Sequence, residues 1–125
     1  MPQLRRTLTV ALVTGFVAVG CSQEKAVSYQ KDVIPLIKDH CIACHSVGGE
    51  GYTKSGLDLA SYNGLMRGTK LGPVIVQGDS VSSTLVRLIE HKADPSIAMP
   101  YHESKLPEDH IEIIKTWIDQ GAKNN

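Results

Sequence analysis

From Ser28 onward, apolar residues recur at helical spacing in separate stretches, and glycine, proline and small polar residues divide them. Ser28 is suited to cap a helix running from Tyr29 to about His40, with Val33, Ile34, Leu36 and Ile37 on one face and Lys31, Asp32, Lys38 and Asp39 outside. Pro35 removes one donor and disfavours helical geometry at Ile34, so a kink, or a restart with Pro35 in the first turn, is predicted there. Between Ser46 and Ser61 the density of glycine (Gly48, Gly49, Gly51, Gly56) predicts loop, with at most a short extended piece at Leu57–Leu59. Ser61 can cap a short helix from Tyr62 to Arg67 that Gly68 ends. Gly72-Pro73 opens the apolar run Val74-Ile75-Val76, for which no second strand pattern exists, so it is expected as an extended segment.

Asp79 or Ser80 is expected to cap a helix over about Val81 to His91, with Val81, Leu85, Leu88 and Ile89 on its inner face. Lys92 to Lys105 has no regular pattern. The last helix is the plainest: Pro107 starts it, Glu108, Asp109 and Glu112 suit its positive end, Ile111, Ile114 and Ile118 form a column beside Trp117, and Gly121 closes it.

The first twenty residues read differently. Arg5 and Arg6 precede an apolar stretch from Leu8 to Val19, with small residues after it, which is the arrangement of an export signal over residues 1–20. Thr7-Leu8-Thr9 fits a twin-arginine signal poorly, so the general secretory route is expected. Val17-Ala18-Val19-Gly20-Cys21 resembles a bacterial lipobox with Ala18 where leucine is commoner, which makes Cys21 the lipid-attachment residue. The alternative is an ordinary cleavage site that leaves a free thiol at Cys21. Residues 21–27 are polar and unpatterned and read as a tether, leaving residues 28–125 as one domain. Several acyl chains on Cys21 would hold that domain on a membrane. Ser22, not aspartate, follows the cysteine, so a periplasmic or outer-face location is expected, with an outer membrane favoured. Loss of Arg5 and Arg6 takes the formal charge from zero to about −2, and no basic stripe suggests nucleic acid.

Cys41-Ile42-Ala43-Cys44-His45 carries the chemistry. Two thiols three positions apart lie on one side of a helical turn, where each can add to a vinyl group of one porphyrin, and His45 can ligate its iron. A thioredoxin-like pair would sit in a βαβ context and need no histidine after the second cysteine. A zinc site would need further ligands at short spacing, and the chain after Cys21 has no second cysteine pair. Covalent haem c, one per chain, is therefore expected. The core agrees: past residue 20 the only aromatics are Trp117 and four tyrosines, and a domain this small gains from a large apolar body. The run Val74–Val76 is expected to lie against that ring.

From Ser28 to Ala122 the chain resembles a monohaem class I cytochrome c, most closely the planctomycete-type cytochrome c domain. The landmarks are Asp32-Val33-Ile34-Pro35 before the motif, the Gly78-Asp79 turn with Ser83-x-Leu85, Met99-Pro100, and Trp117-Ile118-x-x-Gly121-Ala122. The resemblance implies an all-α, small cytochrome c-like fold with first and last helices crossing beside the haem, His/Met ligation, and electron transfer without substrate chemistry. Tyr101 stands where the family often has a second proline.

For the sixth iron ligand, Met99 lies in a loop far from His45 and is fixed by Pro100, as a distal strap requires. Met66 reads as core filler, His91 as a complement to a helix C-terminus, His40 as pointing away from the iron and His110 as solvated. His102, in the same loop as Met99, is the rival. The expectation is thus a one-electron carrier, not an enzyme, with haem and iron held by Cys41, Cys44, His45 and Met99. It would meet redox proteins at the haem edge and a membrane through its anchor, with no small-molecule substrate and no nucleic acid. The alternative is a haem peroxidase or gas sensor with an open or labile distal position.

Overall fold

The computed structural model describes residues 24–125, so residues 1–20, read above as an export signal, and Cys21 lie outside the described residues. Among them there is no β-strand. A π-helical turn (Tyr29–Val33) runs into α1 (Ile34–His40), followed by α2 (Glu50–Ser55), α3 (Tyr62–Arg67), α4 (Thr84–Ile89), a 3-10 turn (Pro95–Ile97) and α5 (Glu108–Asp119). No helix among the described residues is long and apolar enough to cross a membrane.

Pro35 shapes the entry as its chemistry requires. Ser28 Oγ accepts from Lys31 N, and the Ile34 amide reaches back five residues to Tyr29 O, so the first turn is widened and Pro35 falls in the first turn of α1. The first and last elements meet in an aromatic cluster. Tyr29 stacks on Trp117 at 5.3 Å between ring centroids, and Tyr62 meets Tyr29 edge-on at 5.2 Å. Both polar tips there are satisfied, Tyr62 Oη donating to Ala122 O and Trp117 Nε1 to Lys123 O. Ile111, Ile114 and Ile118 are buried beside them, as the column on α5 predicts.

The helix ends follow capping rules. At the end of α5, Gly121 takes the left-handed conformation, its amide bonds Ile118 O, and the Ala122 amide bonds Trp117 O. The same double bond closes α4, with His91 in the glycine's place (φ 55°), its amide on Leu88 O and the Lys92 amide on Arg87 O.

Three expectations are corrected. α4 begins at Thr84 and ends at Ile89, shorter than Val81 to His91. Asp79 takes the Ser82 amide in a separate turn, and buried Ser83 is committed to Val76 N and Asp79 O, so the helix starts only after it. Val81 is therefore 81% exposed and not on the inner face. The stretch from Ser46 to Ser61 is not all loop, since α2 lies within it. Lys25 and Val27, read as tether, are hydrogen-bonded to Gln120 and Asn125 of the domain.

The run Val74–Val76 is extended, with Val74 and Ile75 buried, and is fastened by side chains and backbone in place of a strand partner. Val76 N donates to Ser83 Oγ, and Leu85 N donates to Val74 O. The following turn is tied to α5 through Gly78 N on Ile118 O and two bonds from Ser80 to Asp119.

Candidate haem site

Cys41 to His45 follow directly on α1 as one helical turn, closed by the His45 amide on Cys41 O at 2.9 Å. That turn brings both cysteines and the histidine together, as the spacing requires. Cys44 is exposed, Cys41 is half-buried, and both are free thiols. Cys41 faces an apolar cavity of about 20 Å³ shared with Val33, Ile37, Leu59, Leu85 and Trp117. Burial, reinforced by neighbouring Cys44, pushes the Cys41 thiol up to about 11. A thioredoxin-like pair works through a depressed thiol pKa, so this environment is the wrong one for it. Among the described residues no group of three His, Cys, Asp or Glu is placed to hold a metal ion.

His45 is only 8% exposed, and its buried Nδ1 has no hydrogen-bond partner. Burial lowers its pKa, opposed by a hydrogen bond to the Leu57 backbone, so the environment favours the neutral imidazole over its charged form. A buried ring nitrogen left without a partner is unfavourable in the chain on its own.

The glycine-rich stretch after the motif folds back over this histidine. The Tyr52 amide donates to Cys44 O and the Leu59 amide to His45 O at 2.7 Å, so α2 and the segment after it bracket the turn. Two glycines allow the approach. A Cβ on Gly49 would stand 2.4 Å from Cys44 O, and one on Gly51 would stand 2.8 Å from His45 Cε1 and 2.9 Å from Nε2. Neither residue was singled out from the sequence, although the density of glycine directly after the motif was the signal available.

Met99 is half-buried against the same hydrophobic core. Its amide donates to Leu88 O, and its carbonyl lies 3.0 Å from His91 Nε2, so Leu88 of α4 and His91 just past its end hold the residue by both backbone groups. His91 thus has a local role beyond complementing a helix end. His102 is exposed and lies against Tyr101, with 3.9 Å between ring centroids. Met66 packs on the core, as expected of filler. His110 is not simply solvated: it is half-buried against His40 at 5.4 Å, and its Nδ1 is sealed from solvent.

The family model described as Planctomycete cytochrome C matches residues 41–103, half of the chain. The match begins at the first cysteine of the motif and runs past Met99. The chain belongs to the planctomycete cytochrome c family. It is a c-type cytochrome with a helical fold, and membership implies covalent haem c and iron. No curated protein and no solved structure matches it.

Proposed function

We propose that this cytochrome is an exported, lipid-anchored one-electron carrier with a single haem c. Cys41 and Cys44 would hold the ring through thioethers, and His45 and Met99 would ligate its iron. The observation that carries this reading is His45, a buried imidazole whose Nδ1 has no hydrogen-bond partner, set four residues past Cys41, which faces the apolar core. Once bound, the haem supplies a reversible Fe(II)/Fe(III) couple.

The chain's own residues do the rest. Cys41, Val33, Ile37, Leu59, Leu85 and Trp117 would give the ring an apolar wall that keeps water from the iron, and α2 would fix the orientation of His45. Thioether ligation by Met99 would favour the ferrous state and raise the potential relative to two histidines. The hold of α4 on the Met99 backbone supports that ligand, and the exposure of His102 counts against its rival. Exposed Cys44 and Val47, which is 76% exposed, offer an apolar rim beside the motif, suited to the small, transient interfaces of redox partners.

The test is a pair of variants and one ligand. Met99→Ala should abolish the methionine-to-iron charge-transfer band of the oxidised protein and lower its potential, while His102→Ala changes neither. The reverse pattern would make His102 the ligand. Rapid carbon monoxide binding by the reduced wild-type protein would favour a sensor or peroxidase with an open distal position.

A further inference from the structure

The segment joining Cys21 to the domain is shorter than its composition suggests. Gln120, the residue after α5, uses both ends of its amide on this segment: Oε1 accepts from Val27 N at 2.7 Å and Nε2 donates to Lys25 O at 3.1 Å. Asn125 does the same one step further on, its Nδ2 donating to Val27 O at 3.2 Å and its Oδ1 accepting from Tyr29 N at 2.8 Å. Ser28 Oγ adds a bond to Asn125 O. Two side-chain amides thus bind the backbone from Lys25 to Tyr29 as a strap across the end of the fold where α5 finishes.

Only Ser22, Gln23 and Glu24 then separate Cys21 from the strap. Fully extended, the chain from Cys21 to Lys25 reaches at most about 14 Å. A domain of this size has a radius of gyration of about 13 Å and is therefore roughly 34 Å across, so the leash is shorter than the body it holds. A body on such a leash cannot turn every face to the surface that holds it. The strapped end also carries exposed Lys25 and Lys123 beside exposed Glu24, while Asp32 is committed to Ser28 N and Asp119 to Ser80, which leaves two ammonium groups free among the described residues for phospholipid headgroups.

We propose that the strap orients the domain on its membrane. The end formed by Lys25, Gln120, Lys123 and Asn125 lies against a phospholipid surface, and the start of α5, about 18 Å away along the helix, points away from it. This rests on lipidation of Cys21, as proposed above.

The test uses the haem-loaded, lipidated full chain in vesicles of phosphatidylethanolamine and phosphatidylglycerol. With Cys21, Cys41 and Cys44 all consumed, Lys123→Cys and Glu108→Cys each provide one thiol for a fluorophore at an exposed position. Nitroxide-headgroup lipids should quench the label at position 123 several-fold more than the label at position 108. Joint substitution of Gln120→Ala and Asn125→Ala should lower that contrast while the protein still floats with the vesicles. Equal quenching at both positions in vesicle-bound protein would overturn the orientation and leave the anchor standing. Flotation of Cys21→Ala as complete as that of wild type would overturn the anchor, and the orientation with it.

Discussion

The two ends of the core are built on opposite principles. At the terminal end, Tyr29, Tyr62 and Trp117 pack ring on ring, both polar tips of Tyr62 and Trp117 are bonded, and the strap is held by Gln120 and Asn125. Around the Cys41–His45 turn the reverse holds. An imidazole nitrogen is buried without a partner, a thiol faces apolar side chains, and two glycines leave no room for a Cβ. One end is complete as protein, whereas the other satisfies its own groups only in the company of a further one. The contrast shows how a chain with few aromatics can still have a defined fold: it concentrates them where the termini meet and leaves the other end of the core to the haem.

Substitutions at the two ends should therefore differ in kind. Trp117→Ala should have the largest effect on stability, about 3–5 kcal/mol in denaturant unfolding, because it removes the largest fully buried side chain. Trp117 also lines the cavity that Cys41 faces, so the haem spectrum of the folded fraction should shift slightly, far less than the stability falls. A spectrum changed in proportion to the stability loss would mean that the two ends are not separable.

Gly51→Ala should cost less stability, about 1–3 kcal/mol from overpacking, yet disturb the site directly. Its Cβ would meet the His45 ring at Cε1 and Nε2, so the iron's ligation should change at wild-type haem content. A variant that is destabilised with an unaltered spectrum would show that α2 does not position His45.

His91→Gly separates local hold from global stability. The left-handed position costs a non-glycine residue about 1 kcal/mol, so glycine relieves the end of α4 while losing a bond to Met99 O of similar worth. Unfolding free energy should stay near wild type. Hydrogen exchange at the Met99 amide should become faster, and unchanged exchange would deny His91 its role.

The smallest effect is expected at Glu90, where Lys92 (2.9 Å) and Lys115 (3.3 Å) join the end of α4 to α5. Their ammonium groups hold its carboxyl below the ordinary carboxylate value, Lys92 first. That contribution is present above the unfolded carboxylate pKa and is lost as the pH falls through the lower, folded one. Glu90→Gln should cost about 0.5–1 kcal/mol near neutral pH, and the difference from wild type should vanish on acidification. A difference independent of pH would point to packing instead of charge.

What the sequence reveals and conceals follows the range of the forces involved. α3 and α5 were legible because their signals are local: Ser61 and Gly68 bracket the one, and Pro107 and Gly121 the other. The motif was legible because thioether chemistry fixes its spacing. α2 was not, since none of its residues is buried and no apolar stripe marks it. It is held by the Tyr52 amide on Cys44 O and the Glu50–Lys54 pair, one contact beyond the helix and one on its surface. The late start of α4 was hidden because Ser83 looks like any cap until Val76 and Asp79 are brought to it. His91 could not be read either, because its left-handed backbone lets it serve the Met99 loop and nothing local announces that.

The central claim is that the unsatisfied end of the core is completed by a covalently held haem. The direct measurement is a thiol count on the denatured, purified protein, taken with a haem assay after acid–acetone extraction. The account predicts that Cys41 and Cys44 no longer titrate as thiols and that one haem stays with each chain. Two titratable thiols at those positions, or haem passing into the solvent, would contradict it.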